Sequence, residues 1–221
     1  MKTLRLVVFD LDGTLIDSSG DLAAALNAML QRLAPGTPPL ANQAVRKMIG
    51  SGARVLVTRG LAARGVDATP DHALEIFLES YRSRLLESTR LYPAVPDMLD
   101  ELSRETLAVL TNKPGDLSRP ILEGLGVAGR FARICGGCDG HPKKPDPEAL
   151  RWLMRELRAP ASATSMVGDS SVDVETGRAA GVATIGIRDG FDPEGVAAAA
   201  PDRLVDDASG VVPALGALFA R

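Results

Sequence analysis

One lone apolar strand, then a long helical stretch, then a regular alternation of strands and helices: this order constrains the fold of the chain more than anything else in it. The lone run is Leu6 to Phe9, inside a strand expected over 4–9. Residues 20–88 then read as helical. Leu22, Leu26, Met29, Leu30 and Leu33 recur at helical spacing, "APGTPPL" (34–40) breaks the pattern, and Thr69-Pro70 opens a further helix whose apolar face is Leu74, Phe77, Leu78, Tyr81 and Leu85. No strand is expected between 17 and 90. Beyond "LYPAVPDML" short apolar runs alternate with helices: a strand at 106–112, a helix at 116–124, a third strand in "RFARICGG", and a helix at 146–157 capped by Asp146. A strand in "ATSMVGDS", a helix through Ala180, and the runs at 182–187 and 202–207 close the series.

Such alternation implies an α/β fold, a Rossmann-like parallel sheet with helices on both faces. The core is expected to be split, with residues 1–16 and 90–221 forming it and 17–89 inserted as a helical domain. The chain has 221 residues, 45% of them hydrophobic, enough for a real core. A formal charge of −3 leaves no footprint for nucleic acid. No run is long enough for a signal-peptide core or a membrane span, so a cytoplasmic protein, monomer or homodimer, is expected. Cys135 and Cys138 form a CxxC with Asp139 and His141 nearby, but no second ligand pair exists, and two reduced thiols in a glycine-rich loop are expected.

In open parallel sheets the active groups gather beyond the carboxyl ends of the strands. Past the first strand stand Asp10 and Asp12, past the second Thr111 and Asn112, near the third Lys144, and past the fourth Asp169, with Asp173 one helical turn on. Four acids crowded in one crevice raise one another's pKa and cost stability. A hard divalent cation removes the conflict, and magnesium takes oxygen ligands of this kind together with substrate phosphate. Lys144 and Thr111 add a positive charge and a hydroxyl. Gly13 and Gly168 let backbone N–H groups approach an anion, and Thr14 and Asn112 flank them as phosphate-binding positions. The set suits phosphoryl transfer. Asp10, fixed at the strand end, suits a nucleophile, and Asp12, in the turn, a general acid/base.

In order along the chain, "VVFDLDGTLID", "VLTNKP", "KKPDPEAL" and "MVGDSSVDVETGRAAG" resemble the four motifs of the haloacid dehalogenase-like superfamily, spanning 7 to about 181. The resemblance implies a modified Rossmann core, obligate magnesium and an aspartyl-phosphate intermediate. By motif position it makes Asp10 the nucleophile, Asp12 the general acid/base, Thr111 the phosphate-binding hydroxyl and Lys144 the lysine that steadies the phosphorylated aspartate. It makes Asp169 a metal ligand alongside the Asp10 carboxylate and the Asp12 carbonyl, with Asp173 as the motif's second, outer acid. Lys143 adjoins Lys144, but the family's Lys-Pro-x-Pro pattern falls on Lys144-Pro145-Asp146-Pro147. Lys113 matches no family role and reads as a rim charge. His72 reads as solvated and Trp152 as packing.

The helical insert resembles the family's small cap, a lid that excludes water and reads the leaving group. Gly50-Ser51-Gly52 opens a helix whose N-terminus favours an anion, and the stretch is similar to the cap loop of phosphoglycolate phosphatases. Gly52 and Arg54 are therefore expected to meet the substrate, Arg54 through a carboxylate. A small phosphate ester, 2-phosphoglycolate first, is the expected substrate. A β-phosphoglucomutase-like mutase, or a phosphatase for another sugar phosphate, nucleotide or pyrophosphate, shares the core motifs. Dehalogenases and phosphonatases lack the Asp12 equivalent. Receiver domains phosphorylate an acid after the third strand and carry no such insert.

Overall fold

The computed structural model describes residues 5–137 and 139–220. The chain starts with β1 (Leu6–Phe9) and a short β2 (Ile16–Asp17), then gives four helices in succession: α1 (Ser19–Leu33), α2 (Asn42–Arg46), α3 (Ala53–Arg64) and α4 (Pro70–Arg82). β3 (Arg90–Leu91) returns it to an α/β series: α5 (Val95–Glu101), β4 (Thr106–Leu110), α6 (Gly115–Gly124), β5 (Arg133–Cys135), α7 (Glu148–Glu156), β6 (Thr164–Gly168), α8 (Ser171–Ala180), β7 (Ala183–Ile187), α9 (Pro193–Ala198), β8 (Arg203–Val205) and α10 (Val211–Leu218).

Six strands form one parallel sheet in the order β5-β4-β1-β6-β7-β8. β1 is central, between β4 and β6, and both its faces are buried. Its side chains divide by the period-two rule. Val7 and Phe9 join Leu107, Val109 and Val167 under α5, α6 and α10. Leu6 and Val8 join Ala108, Leu110 and Met166 under α7. Such double burial explains why the strand reads as an unbroken apolar run rather than an alternating one.

The four helices of the insert carry a separate core, with Leu26 and Met29 of α1, Val57 of α3, and Phe77 and Tyr81 of α4 at its centre. The rings of Phe77 and Tyr81 stack at 5.8 Å. Leu117 of α6 joins this cluster, so the insert sits on the sheet domain through apolar contact. α1 and α3 approach closely at Gly60, where any Cβ would strike Leu26.

Several expectations are corrected in detail. A two-stranded antiparallel ribbon, Ile16↔Leu91 and Asp17↔Arg90, lies at the two ends of the segment read as strand-free. α5, α9 and α10 add helices that the pattern did not single out. Leu85 lies beyond the end of α4. The Asp146 carboxylate takes the Glu148 N–H at 2.9 Å, but Pro147 occupies the capping position of α7. Cys138 and residues 1–4 lie outside the described residues, and Cys135 is a buried free thiol pushed up to about 11 by burial. Among the described residues no helix is long and apolar enough to cross a membrane.

Candidate active site

The carboxyl ends of β1, β4 and β6 open side by side, and the site is built from the residues just past them. Asp10 leaves β1 with its N–H still bonded to the Val167 carbonyl at 2.9 Å, which continues the ladder into the site. The turn that follows needs Gly13: its φ is +92°, and a Cβ would collide with the Asp169 carboxylate. Thr14 donates its hydroxyl to Asp169 Oδ1 at 3.0 Å, and the Phe191 N–H donates to Oδ2 at 2.7 Å. Past β4, the Thr111 hydroxyl accepts the Lys113 N–H at 3.2 Å. Asn112 accepts the Lys144 N–H at 2.9 Å and donates to the Lys144 carbonyl at 3.0 Å and to the Gly50 carbonyl at 3.3 Å. Its carboxamide therefore fixes the Lys144 backbone and ties it to the loop before α3.

Lys144 reaches into the acids. Its ammonium lies 2.8 Å from Asp10 Oδ1 and donates to Asp173 Oδ1 at 2.5 Å. The other Asp173 oxygen accepts from the Ser170 hydroxyl at 2.6 Å and the Ser170 N–H at 3.2 Å, closing a capping box at the start of α8. Asp173 thus serves Lys144 and its own helix at once.

The electrostatics of this cluster are unbalanced. Asp10, Asp169 and Asp173 are buried and offer carboxylate oxygens within 4.8 Å of one another, against the single ammonium of Lys144. Burial pushes Asp10 up to about 6, with Lys144 pulling it back and Asp173 adding to the rise. Burial, followed by the Asp10 and Asp173 charges, drives Asp169 well above its ordinary value. The ammonium of Lys144 is held above its ordinary value: burial opposes its charge, but Asp10 and Asp173 outweigh that. Asp10 Oδ1 is buried without hydrogen-bond geometry to any donor. Three acids against one base, with Asp10 Oδ1 meeting the Lys144 ammonium only as an ion pair, match a hard divalent cation, whose charge closes the deficit.

Asp12 faces the other way. Its Oδ1 accepts from the Ser18 hydroxyl at 2.5 Å and the Lys113 ammonium at 2.8 Å. Lys113 is buried, donates to the Tyr81 hydroxyl at 2.6 Å, and lies over the Tyr81 ring at 4.7 Å. The rim-charge reading of Lys113 is therefore wrong: desolvation opposes its charge, but Asp12 and Tyr81 hold the ammonium above its usual pKa. One signal pointed that way in the sequence, since Lys113 stands two residues past Thr111. Its partner Tyr81 comes from a distant helix that only folding brings near.

Between the insert and the sheet domain lies a cavity of about 40 Å³, lined among others by Asp10, Asp12, Thr111, Lys113, Gly52 and Phe77. Gly52, at φ +89°, caps α3 over the Asn112 carbonyl, as its place at a helix start led us to expect. Arg54 is not brought in. Its side chain is 53% exposed and pairs with Asp71 at the start of α4, because that face of α3 points to solvent.

The model of the haloacid dehalogenase-like hydrolases matches residues 7–187. A phosphoglycolate phosphatase of Pseudomonas fluorescens strain Pf0-1 is 41% identical over 218 residues, covering 95% of this chain and 79% of that one. One from Vibrio parahaemolyticus is 38% identical over 217 residues, 94% of each chain. Among solved structures, a predicted phosphoglycolate phosphatase from Haemophilus somnus superposes with a TM-score of 0.89 at 30% identity, covering 97% of this chain and 99% of the other. Motifs, sheet order and relatives agree, and the chain belongs to the haloacid dehalogenase-like hydrolases, on the phosphatase side of that family.

Proposed function

We propose that this phosphatase hydrolyses a small phosphate monoester, 2-phosphoglycolate first among candidates, with magnesium and through an aspartyl-phosphate on Asp10. The observation that carries the reading is the placing of Asp10: it lines the cavity on one side and meets Lys144 and the acid cluster on the other. Asp10 attacks phosphorus, and the bond from phosphorus to the leaving oxygen breaks. Asp12 gives that oxygen a proton, then takes one from the water that attacks the phosphoenzyme. Inorganic phosphate leaves and both acids return to their starting states. Thr111 offers its hydroxyl to the phosphoryl group, and Lys144 offsets the charge gathering on it.

Asp10, Asp169 and the Asp12 carbonyl would hold the magnesium, with Asp173 behind them. Bound there, the ion would supply Lewis-acid polarisation of the phosphoryl oxygens and offset their negative charge. The helical insert, divided from the sheet domain at the Ile16–Asp17 and Arg90–Leu91 ribbon, acts as the cap that shuts water out of this step.

The test is phosphate release with magnesium or EDTA over a panel of 2-phosphoglycolate, sugar phosphates, nucleotides, pyrophosphate and p-nitrophenyl phosphate. Magnesium-dependent release with a preference for 2-phosphoglycolate is expected. Turnover of a hexose monophosphate only when a sugar bisphosphate is supplied would instead establish a mutase.

A further inference from the structure

With Arg54 paired outside the cavity, the leaving group must be read by something else. The cavity wall contributed by the insert and by α6 is apolar: Leu22, Ile49, Leu56, Phe77, Leu78 and Leu117. Among the described lining residues Lys113 is the one cation. A polyol in such a chamber would bury hydroxyls without partners, which costs more than it gains. An ester with a single charged end needs only one matching group.

Lys113 and Tyr81 form that group. The ammonium and the phenol oxygen are 2.6 Å apart, close to the spacing of two carboxylate oxygens. An ammonium has three donors, and Asp12 and Tyr81 engage two of those on Lys113. The phenol accepts from Lys113 and keeps its own O–H to give. Both groups are buried, so an anion meeting them is held in a low dielectric, where a charged hydrogen bond is strongest.

The geometry points to Lys113 and Tyr81 as a two-donor fork that binds the carboxylate of the leaving group, making this site selective for short, acidic phosphate esters. This inference rests on the phosphatase reading of the site. It also joins selectivity to the chemistry, because Lys113 touches Asp12, the group assigned to the leaving oxygen.

The experiment compares kcat/KM for 2-phosphoglycolate with that for 2-hydroxyethyl phosphate, a neutral ester of nearly the same shape. Any effect of Lys113 on Asp12 slows both esters alike and cancels in the ratio, so the ratio reads the contact itself. In the wild-type enzyme the acidic ester is expected to lead by about 30-fold, the scale of one charged hydrogen bond. Lys113→Met should cut the ratio most of the way to one, leaving the smaller share of the Tyr81 hydroxyl, chiefly by raising KM for 2-phosphoglycolate. Tyr81→Phe keeps the buried ring and should lower the ratio in the same direction, by about 5-fold for one neutral donor. It stands in for the lysine variant should that one fail to fold. Equal rates on both esters in the wild type, an equal loss on both in Lys113→Met, or an unchanged ratio in Tyr81→Phe would each overturn the fork while leaving the phosphatase intact. Release from neither ester, nor from p-nitrophenyl phosphate, would bring down the phosphatase reading itself.

Discussion

Asp10 bears two loads, one chemical and one electrostatic, and a single substitution separates them. Asp10→Asn keeps the shape and removes a charge from a cluster where three carboxylates face one ammonium. Turnover is expected to fall by at least about 10³-fold, while the melting temperature in EDTA holds or rises because repulsion is relieved. A variant that still releases phosphate at the wild-type rate would refute the nucleophile assignment. Asp21 shows a different logic. The residue is 2% exposed, and its carboxylate takes four hydrogen bonds, from the N–H and hydroxyl groups of both Ser88 and Thr89. Burial raises its pKa, but these donors outweigh it and hold the group below the usual value. A depressed native pKa means that the stability Asp21 contributes is complete above its unfolded value, about 3.9, and is lost as pH falls through the lower native one. Asp21→Ala should cost about 2–4 kcal/mol in urea unfolding at pH 7, since it strands buried donors, and the gap to wild type should narrow on acidification. Residues such as Asp10, Asp12 and Asp169 were legible in the sequence because a strand end fixes where they go. Lys113 and Asp21 were not, because their partners lie on segments that the chain visits much earlier or later.

At the scale of elements, the telling join is between α2 and the loop after β7. Arg46 at the end of α2 pairs with Asp17 at 2.8 Å, donates to the Gly190 carbonyl at 3.1 Å, and lies 4.7 Å from the Phe191 ring centroid. The N–H of that same Phe191 holds Asp169. The insert thereby grips a loop that orients one of the candidate metal ligands. Arg46→Ala is expected to speed amide exchange at Gly190 and Phe191 and to lower kcat/KM by about 10-fold, consistent with losing ~1–2 kcal/mol of cation–π and charged hydrogen bonding. Unchanged exchange would show that the loop holds its place without the insert. Most helices and all six sheet strands were readable from apolar periodicity. The β2–β3 ribbon was not, since two residues per strand carry no period. α5 and α10 pack on the sheet through short stretches whose apolar faces the pattern did not single out. The order of the strands across the sheet comes from packing rather than from any local signal.

For the whole molecule, cation binding and stability should be linked. A ligand that binds the native state alone stabilises it by about 2.7 kcal/mol at a hundred times its Kd. Here the gain has a visible source in the charge deficit of the acid cluster. Magnesium should therefore raise the melting temperature of the wild type and leave Asp169→Asn nearly unmoved, whether or not any substrate is present. A wild-type melting curve indifferent to magnesium would count against the cluster as a cation site.

The place of β1 in the sheet also bears on how the protein is made. Leu6 pairs with Thr106 on one side and Thr164 on the other, so β1 leaves the ribosome with no sheet partner until much of the chain after it has followed. The insert, with its own apolar core from α1 to α4, is complete in sequence well before then. During synthesis the helices are thus free to collapse first, while an apolar, β-prone segment waits exposed. The interval before β4 emerges therefore leaves an apolar strand open to aggregation, and a chaperone would act to cover it then.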